Sequence, residues 1–502
     1  MANRAIATLN DVLRHMCITP IVVDRPILGL SIDSRKLVNG DLFLAVPGVD
    51  GDGRRFMRQA CQKGAAAIVA EAKDCQDYLT DCSDITVPLV LVDNLKNKLG
   101  HLASDYYRTT DTEPVSIIGV TGTNGKTSCC WIISQLLTGL GKPCALLGTL
   151  GKGIPNSIES TLNTTPDVLS VHQFIADLST QGCFSLAMEV SSHGLEQGRV
   201  DGVPFDVGIF TNLSRDHLDS YQSMDEYAKA KSLLFSDMSL KHAVINEDDT
   251  YGSLMKAACS KSLDVLTFSE KNTSADVYSE RVRLLNDGLT AIIHTPWGQY
   301  DVRVPLMGRF NLENLLAVIA TLGIQEYDLH KITSLLPSLT AVPGRMQRFG
   351  GKGKPTVFVD YAHTPSALNS VLVALREHGV KKLICVFGCG GDRDKGKRPL
   401  MTMAALGGAD TVVLTSDNPR SEAPETIIAN AMEGIEGSDK QRITTIIHRE
   451  DAIVQTILSS DADDVVVIAG KGHETYQEIN GVRHAFDDGN YVREALKQWC
   501  LL

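Results

Sequence analysis

Val115-Ser-Ile-Ile-Gly-Val-Thr-Gly-Thr-Asn-Gly-Lys-Thr-Ser128 is the stretch that decides the fold class. The apolar run at 115–120 predicts a buried strand, the glycines at 119, 122 and 125 a tight turn, and residues 126–140 a helix. Strand, glycine turn and helix in that order open a parallel α/β sheet. Backbone N–H groups of such a loop converge on phosphate oxygens, and the helix N-terminus adds a favourable dipole. Lys126 supplies a mobile charge for β- and γ-phosphates, and the Thr127 hydroxyl can ligate Mg²⁺. The strict pattern G-x-x-x-x-G-K-[ST] is not met, because Val120 stands five residues before Gly125. The alternative is a glycine-rich turn without a nucleotide, which strand, Gly-Lys-Thr and helix together disfavour.

Upstream, the polar stretch Arg108-Thr-Thr-Asp-Thr-Glu-Pro114 reads as a linker, so residues 1–112 form a first block with short strand-like segments at 29–33, 42–46 and 66–70. Residues 113–343 form a central block and residues 344–502 a third. The third alternates helix-length segments with strands at 356–360, 382–387, 411–415 and 464–469, a doubly wound parallel pattern. Its strands run into polar loops: Tyr361-Ala-His363, Gly388-Cys-Gly-Gly-Asp-Arg-Asp394, Asp417-Asn-Pro-Arg420 and Gly470-Lys-Gly-His-Glu474. Ligands of open α/β sheets bind at those carboxyl ends, so these loops predict a concave site. A dinucleotide fingerprint at Gly388 fails, since its third glycine position is Arg393.

The whole chain, 502 residues, suits about three domains and needs no disulfide or metal staple to fold. Lys and Arg number 48 against 60 Asp and Glu, a net charge of −12, which argues against a nucleic-acid-coating or anionic-membrane role. No apolar run approaches membrane-spanning length, and the N-terminus lacks the apolar core and cleavage site of a secretory leader. The twelve cysteines are scattered without a C-x-x-C pair, as expected of reduced thiols in a cytoplasmic protein.

Thr121-Gly-Thr-Asn-Gly-Lys-Thr127 resembles the ATP loop of the Mur ligases, ATP-dependent amide-forming enzymes of peptidoglycan synthesis that depart from the usual phosphate-loop pattern in the same way. The resemblance extends over essentially the whole chain. It implies an N-terminal nucleotide-sugar-binding α/β domain, a central P-loop ATPase-type parallel-sheet domain and a C-terminal Rossmann-like domain. Gly388-Cys-Gly-Gly-Asp-Arg-Asp-Lys-Gly-Lys-Arg-Pro-Leu-Met401 and Asp417-Asn-Pro-Arg420 are most similar to the members that add the third amino acid to UDP-N-acetylmuramoyl-L-alanyl-D-glutamate. In that family the substrate carboxylate takes the γ-phosphoryl group of ATP to give an acyl phosphate, which an amine then converts to an amide.

On the residues alone, Glu189 after the strand-like 185–188 reads as a solvated loop residue, and the resemblance makes it a Mg²⁺ ligand with Thr127. Likewise it implies that His217, in Phe210-Thr-Asn-Leu-Ser-Arg-Asp-His217-Leu-Asp219, helps hold a second magnesium, and that Lys231 carries a carbamate. A carbamylated lysine is a carboxylate on a long stem; the bland alternative is a surface lysine, with Lys229 as a decoy. Lys126, Glu189, His217 and Lys231 are thus the implied catalytic set. Gly122, Thr123, Asn124, Gly125, Lys126, Thr127 and Ser128 would hold ATP, with Asn311, Arg345 and Asp360 at its adenosine and phosphates. Without the resemblance, Asn311 and Asn314 read equally as helix caps, and Arg345 with Asp360 as an interdomain salt bridge.

Ile32 and Ser34 in Ser31-Ile-Asp-Ser-Arg35, then Asn163, Thr164 and Thr165, and finally Ser191, Gln197 and Arg199 match family positions for the UDP-muramoyl substrate. Arg393, Asp417, Asn418, Pro419, Arg420, Gly470 and Glu474 match those for meso-diaminopimelate. That amino acid differs from lysine by a distal carboxylate, which a guanidinium fork can clamp, while lysine would leave Arg420 unpaired. The expected co-substrate and cofactor are ATP and Mg²⁺, and the expected state is a monomer with no nucleic-acid partner. Lysine-adding relatives, MurF and folylpolyglutamate synthetase are the rivals within this chemistry, and a P-loop phosphotransferase or a non-catalytic ATP-binding regulator outside it.

Overall fold

Short runs of buried aliphatic residues build the first sheet in the computed structural model, which describes residues 7–48, 51–79, 84–108, 113–155, 157–214, 220–236 and 240–501. Strands β1 (Gly29–Ser31), β2 (Asp41–Ala45), β3 (Ala67–Glu71) and β4 (Leu89–Val92) lie side by side in that order, all parallel. Helix α1 (Leu95–Tyr107) covers one face through Leu95, Leu99 and Leu102. The same cluster takes in Val168, Leu169 and Ala176 of a helix further along the chain.

The apolar run at 115–120 pairs one residue later than its hydropathy suggests. Strand β5 (Ser116–Thr121) reaches Thr121 because Thr121 is still in register with Phe210, so the glycine loop begins at Gly122. Helix α2 (Lys126–Gly139) follows, one residue shorter than expected, with Leu140 as its cap and Gly141 at φ 79 turning the chain away. The sheet continues with β6 (Cys144–Gly148), an antiparallel hairpin of β7 (Gly151–Ile154) and β8 (Ser157–Glu159), then α3 (Val168–Thr180), β9 (Ser185–Glu189), β10 (Val207–Phe210), α4 (Met224–Ser236), β11 (His242–Asn246) and β12 (Asp264–Ser269). The strand order is β8-β7-β6-β9-β5-β10-β11-β12, with β6 and β9 to β12 all parallel to β5 or to a neighbour. β5 is therefore central, and its carboxyl end carries the glycine loop.

By compactness the chain divides into Met1–Phe268 with Ala320–Gln325, and Ser269–Ile319 with Glu326–Leu502. The second unit starts with antiparallel strands β13 (Val277–Leu285), β14 (Gly288–Thr295) and β15 (Gly298–Val304), and the chain continues through α5 (Arg309–Ile324). Then come β16 (Gln347–Gly350), β17 (Thr356–Asp360), α6 (Pro365–Glu377), β18 (Leu383–Cys389), α7 (Lys397–Gly408), β19 (Thr411–Ser416), β20 (Ile443–Thr445), α8 (Arg449–Leu458) and β21 (Val465–Ala469). A hairpin, β22 (Tyr476–Ile479) with β23 (Val482–Ala485), precedes α9 (Asp488–Trp499). The sheet order is β16-β17-β21-β18-β19-β20, antiparallel only at β16.

Alternation along β21 sorts its side chains: Val465 and Val467 pack with Leu368, Leu372 and Met401 on one face, Val466 and Ile468 with Ile453 and Val492 on the other. Each such buried aliphatic side chain contributes about 1.5–3 kcal/mol. β18 runs two residues beyond its expected end because Gly388 and Cys389 pair with Thr415 and Ser416. Among the described residues the cysteines are thiols. Burial pushes Cys129 and Cys130 of α2 well above the usual thiol range, with the Glu189 charge adding to the effect. Burial pushes Cys385 to about 12.

Two features of this scaffold lend themselves to measurement. A Cβ on Gly119 would stand 2.7 Å from Cε1 and 2.8 Å from Cδ1 of Phe205, which belongs to the core of the central sheet. Gly119→Ala therefore overpacks the sheet, and chemical denaturation should show a loss of about 1–3 kcal/mol; an unchanged midpoint would contradict the packing. In the second unit, hydrogen bonds from buried Arg398 and from the Asp392 amide hold the Glu422 carboxyl at about 2, against an ordinary 4.5. A depressed carboxyl contributes stability above its unfolded pKa and loses it as pH falls towards the folded one. Glu422→Gln should thus be less stable than the parent at pH 7, the difference closing between 4.5 and about 2. A pH-independent difference in urea midpoints would refute the assignment.

Candidate active site

The glycine loop brings two lysines onto one carbonyl. Lys126 Nζ donates to Gly122 O at 2.8 Å and to Thr123 O at 2.9 Å, while Lys231 Nζ, from α4, donates to the same Gly122 O at 2.9 Å. Lys231 is 1% exposed and lies 4.5 Å above the Tyr227 ring, so it is an interior residue rather than the surface lysine that its helix position also allowed. Across the loop, Thr211 Oγ1 donates to Asn124 O at 2.6 Å, and the Asn124 amide donates to Asn212 Oδ1 at 3.0 Å.

Glu189, at the end of β9, is buried rather than a solvated loop residue. Oε1 accepts from Thr127 Oγ1 at 2.9 Å and from the Thr149 amide at 2.8 Å, and Oε2 accepts from Thr149 Oγ1 at 3.2 Å. These partners are neutral. A buried carboxylate beside a hydroxyl at a phosphate loop is an oxygen-only donor set of the kind that holds Mg²⁺, which usually takes one or two carboxylates and completes its shell with water and substrate phosphates. Among the described residues no three His, Cys, Asp or Glu side chains converge. His217 lies outside the described residues. Thr149, with two bonds to Glu189, was missed from sequence because nothing local marks it.

Glu189 also reaches the other side of the sheet edge through its backbone. Thr165 Oγ1 donates to Glu189 O at 2.9 Å and accepts from the Ser191 amide at 3.0 Å; Arg199 Nη1 donates to Thr165 O at 2.8 Å. Thr165 is fully buried, and the Ser191 hydroxyl caps a short helix by accepting from the Gly194 amide. Both residues thus shape the loop from within. A cavity of about 630 Å³ opens beside it, lined by Ile32, Asn163, Gln197 and Arg199 of the expected set and by Lys36, Lys96 and Lys152. Lys36, Lys96, Lys152 and Arg199 outnumber the two carboxylates of this lining, Glu159 and Asp167, a balance that suits a diphosphate. The three lysines were missed, being spread over the first two blocks. Ser34 does not line this cavity: it is buried and donates to Gln59 Oε1 at 2.7 Å. Nor does Thr164, whose hydroxyl lies 3.2 Å from that of Thr149.

In the second unit, Asn311 donates to Met307 O at 2.8 Å from the first turn of α5. Asp360 accepts from the amides of Met346 and Ala362, and burial pushes its carboxyl up despite them. The guanidinium of Arg345 stacks 4.7 Å above the Tyr361 ring, whose other neighbours are His363 and His473. Burial, and then the nearby Arg345 charge, hold His473 below the usual imidazole range.

The loops after β18, β19 and β21 meet at one rim. Asn418 Nδ2 donates to Glu474 Oε2 at 2.9 Å, Lys471 Nζ bridges Asn418 Oδ1 at 3.1 Å and Glu474 Oε2 at 2.9 Å, and the Gly391 amide donates to Asn418 O. Burial would raise the Glu474 carboxyl, but Lys471 and Asn418 hold it below its ordinary value, so it stays ionised. Arg420, at φ 52, donates from Nη1 to Gly391 O at 2.8 Å and keeps Nε 3.7 Å from Glu478. Asp417, Asn418, Pro419, Arg420, Gly470 and Glu474 come together there, and the side chain of Arg393, an exposed residue of the neighbouring loop, lies beside Gly390 with Arg420 and the Asn418 carbonyl. Lys471, fully buried, was missed from sequence: a lysine between two glycines reads as exposed until tertiary packing closes over it.

Residues 26–107 match the profile described as Mur ligase family, catalytic domain; residues 120–322 match the Mur ligase middle domain, and 344–472 the Mur ligase, glutamate ligase domain. A UDP-N-acetylmuramoyl-L-alanyl-D-glutamate--2,6-diaminopimelate ligase of Pseudomonas aeruginosa is 47% identical over 94% of this chain and 95% of its own. The ligase of the same name from Coxiella burnetii is 42% identical over 95% and 97%. A solved structure under that ligase name superposes with a TM-score of 0.74 at 39% identity, over 98% of this chain and 99% of the other. MurF from Thermotoga maritima in complex with ADP, at 18% identity and TM-score 0.59 over 94% and 97%, shares the fold. Three matched profiles and relatives this similar over nearly the full length establish that the chain belongs to the Mur ligase family.

Proposed function

We propose that this chain is an ATP-dependent ligase that joins meso-2,6-diaminopimelate to the D-glutamyl carboxylate of UDP-N-acetylmuramoyl-L-alanyl-D-glutamate. The single observation that carries the choice of amino acid is the rim of the second unit, where a guanidinium (Arg420) and an ionised carboxylate (Glu474) stand on adjoining loops. The distal end of diaminopimelate bears one carboxylate and one ammonium. Arg420 suits the first and Glu474 the second, with Asn418 and Lys471 holding Glu474 in place. Lysine offers no anion to Arg420, and a guanidinium left unpaired in a pocket disfavours that substrate.

The acid substrate and ATP are both anions, and their approach needs local positive charge. Lys126 provides it at the β- and γ-phosphates, and the loop amides from Gly122 to Ser128 cradle the phosphates. Thr127 and Glu189 would hold Mg²⁺, joined in our reading by His217 and by Lys231 as its carbamate. When bound, the metal screens phosphate charge and withdraws electrons from the transferred phosphoryl group. In the free-amine form Lys231 places a second ammonium on Gly122 O beside Lys126, and carbamylation replaces that like charge with oxygen donors. Attack of the substrate carboxylate on the γ-phosphorus yields acyl phosphate and ADP. The neutral amine then adds to the acyl carbon, and collapse of the tetrahedral intermediate expels orthophosphate and leaves the amide.

Ile32, Asn163, Gln197 and Arg199 serve the UDP-muramoyl substrate by contact from the cavity lining, and Ser34, Thr164, Thr165 and Ser191 serve it by shaping the segments around that cavity through their own hydrogen bonds. Asn311, Arg345 and Asp360 serve the adenosine and phosphates of ATP. Residues 1–112, 113–343 and 344–502 are assigned to nucleotide-sugar, ATP and amino-acid binding. No helix of the described residues is long and apolar enough to cross a membrane, and we place the enzyme in the cytoplasm as a monomer.

An ADP-release assay with the muramoyl dipeptide tests the whole reading. Release should depend on meso-diaminopimelate and yield an amide by mass; turnover without an amine, or with L-lysine alone, would overturn it. Lys126→Ala should abolish turnover, and retained activity would remove the phosphate loop from the chemistry. Arg420→Ala should raise the KM for diaminopimelate about 10- to 1,000-fold with the KM for ATP within about twofold. Equal losses for both substrates would sink the specificity assignment.

A further inference from the structure

Beneath the amino-acid rim lies an ion pair with no exposure at all. Arg449 opens α8 and Asp488 opens α9, and both side chains are 0% exposed. The pairing is two-pronged: Nε donates to Asp488 Oδ1 and Nη2 to Oδ2, each at 2.7 Å. The remaining donors do something a simple ion pair does not. Nη2 also donates to Ala469 O at 3.0 Å, and Nη1 donates to Ser416 O at 3.4 Å.

Those carbonyls belong to the last residues of β21 and β19, the strands on either side of β18. One planar group therefore spans the central strand and ties together the points at which the two flanking chains leave the sheet. The next residues are Asp417 and Gly470, which open the loops bearing Asn418, Arg420, Lys471 and Glu474. Their spacing is close: Gly470 adopts φ +116, and a Cβ there would stand 2.7 Å from Asp417 Oδ2. Burial would lower the Arg449 pKa, yet Asp488 first, then Asp417 and Glu474, hold it above the usual value, so the guanidinium also senses the charges of the rim.

Stability alone does not explain such a pair. Stripping both ions of water offsets their attraction, and well-packed apolar residues of similar volume commonly serve a core as well or better. The geometry points to Arg449 as a positioning residue for amino-acid selection: oriented by Asp488, it fixes the separation of the 417–420 and 470–474 loops so that Arg420 and Glu474 meet the two charges of the incoming amino acid. This rests on the function proposed above.

The test compares the intact enzyme with Arg449→Lys, which keeps the charge but loses the fork, and with the double variant Arg449→Met/Asp488→Leu, which removes both ions together. Wild-type melting within a few degrees, a KM for ATP within twofold and a KM for meso-diaminopimelate raised about 10- to 100-fold are expected of the double variant, with a smaller rise for Arg449→Lys. Hydrogen exchange should quicken at the amides of Asp417, Asn418, Arg420 and 470–474 and not in the sheet. An unchanged KM for diaminopimelate with unchanged exchange would overturn the proposal. So would parallel losses in melting temperature and in both KM values for Arg449→Lys, the marks of a purely structural pair. If the double variant does not fold, Arg449→Lys decides by the same criteria. Should the wild-type chain form no amide with diaminopimelate, the functional reading fails, and loop exchange in Arg449→Lys still tests the positioning.

Discussion

The buried carboxylate of Glu189 is the constraint around which the first unit is organised. A charged group with almost no exposure must find donors, and it finds them in Thr127 at the start of the phosphate-loop helix and in Thr149 after the neighbouring strand. Its own carbonyl receives Thr165, which in turn receives Arg199. A single residue thus joins the nucleotide loop to the loop beside the basic cavity. Displacing either loop would break a buried hydrogen bond, a loss of about 1–3 kcal/mol when a polar group is left unpaired. This coupling fits a chemistry in which a phosphoryl donor and an acid acceptor must meet in a fixed relation.

The second unit solves a different problem, that of holding unlike charges close without letting them cancel. Arg420 and Glu474 are each engaged by the protein: Arg420 by the Gly391 carbonyl and the more distant Glu478, Glu474 by Asn418 and Lys471. Arg420 and Glu474 do not pair with one another in these contacts, and the bonds from Asn418 and Lys471 both fall on Oε2 of Glu474. Beneath them Arg449 and Asp488 supply order at the level of the sheet.

Sequence patterns disclosed those parts of the molecule that are fixed locally. Strand β17 and the start of α2 fall where hydropathy and glycine spacing place them, because burial of a short aliphatic run and a glycine at the helix N-terminus are properties of a few adjacent residues. Ends were displaced where partners decide them, as in β18, which continues as long as β19 offers carbonyls. Position at the glycine loop was readable where residue type and glycine spacing carry it, as with Lys126 on the Gly122 carbonyl and Thr127 at the start of the helix. Thr149, Lys471 and Arg449 acquire their roles from neighbours far along the chain, 40 residues away for Thr149 and Glu189 and 39 for Arg449 and Asp488, and no local pattern announces them. Ser34 shows the reverse: its motif suggested a ligand contact, and tertiary packing turned its hydroxyl to Gln59 instead.

The thiols of α2 have a consequence of their own. Cys129 and Cys130 lie just beyond Lys126, within the helix that starts at the glycine loop, and burial and the Glu189 charge keep both protonated. Alkylating agents and peroxide attack thiolates, so these two thiols are poor targets for electrophiles while the fold is intact. Modification of Cys129 or Cys130 by such reagents would accordingly report unfolding of the unit that holds them.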